Sequence, residues 1–141
     1  MDDSVPWPDR ERCVRAIVCL FKSLFAVRCA PQLSHLIPPE PGLGLINTVC
    51  YMWWERFPLV MGEPQHPDQD LLDETLFDVM RQTLEIPHDA CRESALHGLG
   101  HWCLHNPQQV ETVIDAFLVR NRDLRPELQR YAIKARAGYV N

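Results

Sequence analysis

Residues 106–121 read NPQQVETVIDAFLVRN, and their pattern admits one regular structure. Val110, Val113, Ile114, Phe117 and Leu118 recur at i, i+3, i+4, i+7 and i+8. That spacing lines one face of a helix and no face of a strand. Asn106 suits the N-cap, Pro107 the first helical position, and Gln109 could close a capping box. No stretch of the chain alternates apolar and polar residues for long, so strands are not expected.

The same periodicity predicts five further helices. One spans about residues 8–29, with Val14, Ile17, Phe21 and Leu24 as its stripe, and a second spans about 43–56. A third starts after Asp70, an N-cap candidate, and ends before the IPHD at 86–89. A fourth covers about 89–104, and the last starts near Asp123 with Leu124, Leu128, Tyr131, Ala132 and Ala135 inward. The last three connections are only a few residues long, which forces antiparallel neighbours. The first two, APQLSHLIPPEPG and FPLVMGEPQHPDQD, are long and Pro-rich.

With 141 residues, 46% apolar and 23% charged, the chain fits one globular domain over residues 1–141. A net charge of −5 disfavours nucleic acid as a partner. The charge is polarised: residues 63–89 hold eight acids and one base, residues 120–136 six bases and two acids. The first twelve residues, MDDSVPWPDRER, are acidic where a signal peptide is basic. Arg15 and Lys22 interrupt the most apolar stretch, so no membrane span and a cytoplasmic location are expected. Six cysteines without CxxC spacing read as reduced, mostly buried thiols.

An internal repeat organises these helices. At an offset of 37 residues, CRESALHGLG (91–100) lies over LQRYAIKARA (128–137), with small or apolar residues coinciding at five positions. Leu45, Val49 and Cys50 fall more loosely over Cys91, Ala95 and Leu96. Two helices per period of about 40 residues is the pattern of an α-solenoid. The stretch ACRESALHGLGHW resembles the second helix of a HEAT-like repeat in its Arg92-Glu93, Ala95-Leu96 and Leu99-Gly100 pairs. The resemblance implies an all-α fold of three antiparallel hairpins, at about 8–56, 70–104 and 106–139, stacked as a short right-handed superhelix. It also implies a scaffold that binds partners along the face of its second helices.

The fourth helix carries the chemistry. On a helical wheel Cys91, Ala95, Leu96, Leu99, Trp102 and Cys103 fill one arc of about 140°. His97, His101 and His105 lie almost opposite, the position of a solvent face. Gly98 and Gly100 flank the stripe and point to close packing by a neighbouring helix. Histidines at i and i+4 can share a zinc ion, but His97 and His105 stand about 12 Å apart along the axis, so three cannot. Glu93 is the nearest local carboxylate, and Glu93, His97 and His101 make the candidate metal set. No HExxH glutamate follows His97, and a Ser94, His97, His101 arrangement lacks the strained elbow of a nucleophilic serine.

The repeat frame sets Asn47, Tyr51 and Glu55 level with Glu93, His97 and His101, and adds Arg130 and Lys134 from the last helix. These residues form one polar strip where a protein or peptide of mixed charge would dock. The function expected first is therefore a non-enzymatic interaction module, an adaptor or an inhibitor of immunity type, with no cofactor. The alternative is a metal-binding protein or hydrolase centred on Glu93, His97 and His101, with zinc as the cofactor. Trp53 shares the wheel position of Leu99 and reads as core, with Trp54 beside it; one of the two, with Tyr51, should be partly exposed. The oligomeric state is open.

Overall fold

The computed structural model describes residues 5–37, 44–55 and 68–140, whose regular structure is helical, with no strand among them. The first rod, α1, runs from Trp7–Arg15 through Ile17–Leu20 and a π-helical turn, Phe21–Phe25, to Ala26–Arg28. Five helices follow: α2 (Leu45–Tyr51), α3 (Gln69–Leu84), α4 (Asp89–Trp102), α5 (Pro107–Arg120) and α6 (Pro126–Arg136). A 3-10 turn, Ser34–Leu36, sits between α1 and α2.

Proline sets two of the helix starts. Pro107 and Pro126 each occupy the first turn, where no N–H is needed. The last helix therefore begins at Pro126 rather than near Asp123, and α3 begins one residue ahead of Asp70, with Asp68 at its N-cap. The expected capping box does not form: Asn106 sits at the N-cap but makes no side-chain cap bond. The C-terminus of α6 is a Schellman turn. Gly138, at φ 78°, lets its N–H reach the Ala135 carbonyl and the Tyr139 N–H reach that of Lys134.

Through the π-helical turn the stripe of α1 continues from Phe21 at i+4 rather than at i+3. Phe25 is buried in place of the expected Leu24, which is 38% exposed. Phe21 and Phe25 then meet the tryptophans. Trp54 stacks on Phe21, centroids 5.7 Å apart and 9° from parallel, while Trp53 meets Phe21 and Phe25 edge-on. Trp54, not Trp53, is the fully buried member of the pair. The wheel misassigned them because α2 ends at Tyr51 and residues 52–55 form turns. Of the helix expected over 43–56, residues 43 and 56 lie outside the described residues.

Helix α4 is the centre of the molecule. It packs on α2, α3, α5 and α6, while α1 lies against α3, and α5 against α6. From Ala90 to Gly100 every residue except Arg92 is buried. Leu96 and Leu99 are fully buried, each contributing about 1.5–3 kcal/mol of hydrophobic stabilisation. Both glycines serve close approach. A Cβ on Gly98 would stand 2.7 Å from the Trp54 ring and 2.8 Å from the Met80 sulfur. A Cβ on Gly100 would stand 2.2 Å from a Val140 methyl, so its neighbour is the irregular segment after α6 rather than a helix.

The six cysteines are free thiols, three of them buried (Cys29, Cys50, Cys91), Cys103 half-buried, and Cys13 and Cys19 exposed. Burial pushes the Cys29 thiol up to about 11, which keeps it protonated and inert. No helix among the described residues is long and apolar enough to cross a membrane.

Candidate metal centre

Because α4 has neighbours on both flanks, its histidine face is not a solvent face. His97 is 2% exposed, and His101 is half-buried; only His105 stands in solvent. A two-sided wheel describes a helix with one packed face, and α4 has α2 and α6 on either side of its histidines.

Three ligand-type atoms converge there. The Glu55 Oε1 atom lies 2.8 Å from His97 Nε2 and 3.0 Å from His101 Nε2, and the two Nε2 atoms are 3.2 Å apart. Glu55 follows α2, and the two histidines are one turn apart on α4. The imidazoles meet edge to face, centroids 4.6 Å apart, so both Nε2 atoms point at the same small space. His97 forms the floor, with 3% of its side chain exposed, while His101 and Glu55 reach solvent at 21% and 34%.

A hydroxyl relay backs the floor. The other ring nitrogen of His97, Nδ1, is 2.8 Å from the Tyr131 hydroxyl of α6, which lies 3.0 Å from the Tyr51 hydroxyl of α2. Tyr51 also packs on the His97 ring, centroids 4.2 Å apart. One proton assignment satisfies the chain of contacts. His97 Nε2–H donates to the carboxylate, Tyr131 O–H donates to Nδ1, and Tyr51 O–H donates to Tyr131. The electrostatics agree with it. Burial lowers the His97 pKa against the pull of Glu55, favouring neutral imidazole. Burial also works to raise Glu55, but the hydrogen bonds and charges of His97 and His101 outweigh it and hold the group below its ordinary value. Burial raises both tyrosines, which therefore stay protonated donors.

The residues expected on one polar strip divide into two groups. Tyr51 and Glu55 do stand beside His97 and His101, the positions that the repeat frame set level. Glu93 does not join them. It is fully buried one turn before His97 on the same face of α4, where it accepts from the backbone N–H groups of Ser34 (2.8 Å) and His35 (3.0 Å) and from His35 Nδ1 (2.6 Å). The metal set expected from sequence, Glu93 with His97 and His101, is corrected accordingly: the carboxylate beside the histidines is Glu55. Glu93 shares the histidine face one turn earlier, but the 3-10 turn at Ser34–Leu36 meets its carboxylate there and engages both oxygens.

Asn47 is also buried. Its amide accepts from the Ala30 N–H at 3.0 Å and donates to the Ala30 carbonyl at 2.9 Å, pairing with the chain after α1 as a second backbone would. Ser94 donates to the Cys50 carbonyl and is held away from the histidines. Arg130 and Lys134 lie on the exposed side of α6. Two members of the site escaped the sequence reading. Tyr131 was expected only as an inward core residue, though a buried hydroxyl requires a partner. His35 lies in a Pro-rich connection without periodicity; it stacks on Tyr131 at 4.3 Å while bonding Glu93.

Neither a family model, a curated protein nor a solved structure matches this chain, so its functional reading rests on this geometry.

Proposed function

We propose that the chain is a helical-repeat protein that binds a divalent first-row transition-metal ion through Glu55, His97 and His101. The triangle of donor atoms carries this reading, with edges of 2.8, 3.0 and 3.2 Å. An ion bonded at about 2.0–2.1 Å to three donors of one octahedral face separates them by about 2.9 Å, and a tetrahedral face by about 3.4 Å. Among the described residues this is the group of three histidine, cysteine or acidic side chains close enough to hold one ion. Two imidazoles and one carboxylate suit zinc, cobalt or ferrous iron, and leave positions open on the solvent side. On binding, His97 would give up its Nε2 proton and carry one on Nδ1, donating to Tyr131, the support that ligating histidines usually have. An open position holding water is what metal-assisted hydrolysis needs, so that reaction class follows from the same donors.

The fold reading that accompanies this proposal is the short right-handed superhelix of HEAT-like hairpins. It is supported by α2, α4 and α6 lying side by side in that order, as second helices of consecutive repeats do. The second reading, a protein or peptide docked on that face, is supported by the exposed side chains of Glu55, Arg130 and Lys134. The buried Asn47, Glu93 and His97 would then act as framework.

The test is calorimetric titration of the metal-free full chain with zinc, with cobalt absorption as a geometry readout. One ion per chain is expected, with Glu55→Gln and His101→Gln each weakening affinity by about 100-fold or more, and both variants folded by circular dichroism. Zinc bound equally well by both variants would place the ion elsewhere, and no stoichiometric binding would sink the metal reading. In the latter case partner capture by wild type, lost in a Glu55→Ala, Lys134→Glu variant, would support the docking reading.

A further inference from the structure

At the other end of α4 from the histidines, its first turn, the end of α5 and the connection from α5 to α6 line an open cavity of about 420 Å³. Its walls hold four arginines, Arg92, Arg120, Arg122 and Arg125, against two aspartates, Asp89 and Asp123. The lining therefore carries a surplus of two positive charges. We propose that this cavity binds the phosphate group of a small molecule.

Three observations point to a ligand rather than to a self-neutralised surface. Arg92 is fixed: its guanidinium lies 5.6 Å over the Phe117 ring, and one Nη donates to Asn121 at 3.1 Å. Asn121 is itself held by donating to the Phe117 carbonyl. Second, Arg122 is exposed and has no carboxylate within ion-pair distance among the described residues. Third, the two arginines that do have partners keep donors to spare. Arg120 pairs with Glu85 through one Nη, and Arg125 stands 3.4 Å from both Asp89 and Glu127, long for charge-assisted bonds. Each guanidinium offers five N–H donors in a planar fork, the geometry that meets phosphate oxygens in pairs. The two lining aspartates would repel a ligand that is anionic throughout, which favours one compact dianionic head. The cavity volume lies within the range of small-molecule sites and leaves room beyond a phosphate for the group that carries it.

The experiment is calorimetric titration of the full chain with inorganic phosphate and with pyrophosphate at low ionic strength, citrate serving as a carboxylate comparison. Saturable one-to-one binding in the low-millimolar range or tighter is expected for a phosphate probe. Arg92→Gln should weaken it by about 10-fold or more, and Arg122→Gln, an exposed change that leaves the fold alone, by about 5-fold or more. Arg136→Gln, at a distant pair with Glu111 and Asp115, should leave it unchanged. Absence of saturable binding overturns the proposal, as does equal weakening by Arg136→Gln, which would mark diffuse attraction to a basic surface. Tighter binding of citrate than of either phosphate probe overturns the phosphate assignment. None of these outcomes depends on the metal site, since no residue is shared.

Discussion

The two glycines of α4 meet neighbours of different stiffness, and that difference predicts different tolerance. Gly98 faces a tryptophan ring stacked on Phe21 and a buried methionine, so an added methyl has nowhere to go. Gly98→Ala should cost about 1–3 kcal/mol of overpacking, less about 1 kcal/mol gained in helix propensity. Gly100 faces Val140, which follows α6 outside regular structure and can shift more readily than a residue inside a helix. Gly100→Ala should therefore be milder, and Val140→Ala should relieve it; a double-mutant cycle of urea midpoints checks the coupling. If Gly100→Ala is as costly alone as in the Val140→Ala background, the two residues do not press on each other. Tyr131 gives the second residue-scale prediction. Tyr131→Phe keeps the packing but removes the hydroxyl between His97 and Tyr51. Zinc affinity should fall by about 10–100-fold, the usual loss for a supporting partner, with stability down by about 1 kcal/mol. Unchanged affinity would show that Tyr131 does not orient His97.

Between elements, α1 and α3 are joined by Arg15 and Asp78, 2.8 Å apart, with Arg81 and Gln82 bonding the same carboxylate from within α3. Burial works to raise the Asp78 pKa, but the hydrogen bonds of Arg81, Arg15 and Gln82 outweigh it and hold the group below its ordinary value. A carboxyl depressed in the folded state stabilises above its unfolded pKa, near 4, and loses that contribution as pH falls through the folded value. Arg15 and Arg81 are about half exposed, so screening keeps the effect small. Asp78→Asn should cost about 0.5–1 kcal/mol at pH 7, and the gap in urea midpoints from wild type should narrow as pH falls below the unfolded value. A gap that does not narrow with falling pH would assign the loss to packing rather than charge. The helices themselves were legible because each buries one apolar stripe, and stripes are written in the spacing of Val110 to Leu118. Tyr51 and Glu55 were legible as neighbours of the histidines through the repeat frame. What the spacing does not encode is the choice between i+3 and i+4, which buried Phe25 rather than Leu24, or a third neighbour. The wheel sent His97 to solvent because it cannot know that α2 and α6 close over that side.

For the whole molecule, the position of α4 inside the other helices implies an order of opening. Amides of Ala95–Leu99 exchange only when neighbours on several sides separate, so they should report global unfolding and be the slowest in the chain. The 3-10 turn at Ser34–Leu36 is held differently. It has no buried side chain of its own, and the N–H groups of Ser34 and His35 end on the Glu93 carboxylate. Among the described residues the Glu93 carboxylate bonds only Ser34 and His35, so the turn and α4 stabilise each other across a sequence gap of nearly sixty residues. Glu93→Gln replaces one acceptor oxygen by a donor facing donors, and should cost about 1–3 kcal/mol. Hydrogen exchange distinguishes where that cost falls. If Glu93 is the tether of the turn, amides 34 and 35 should exchange at least tenfold faster in the variant even where α4 protection drops only with global stability. If the turn and α4 lose protection in equal measure, the carboxylate serves the core as a whole, and the turn opens only when the molecule does. The tethered outcome is the one the geometry favours, because among the described residues the Glu93 carboxylate bonds only residues 34 and 35.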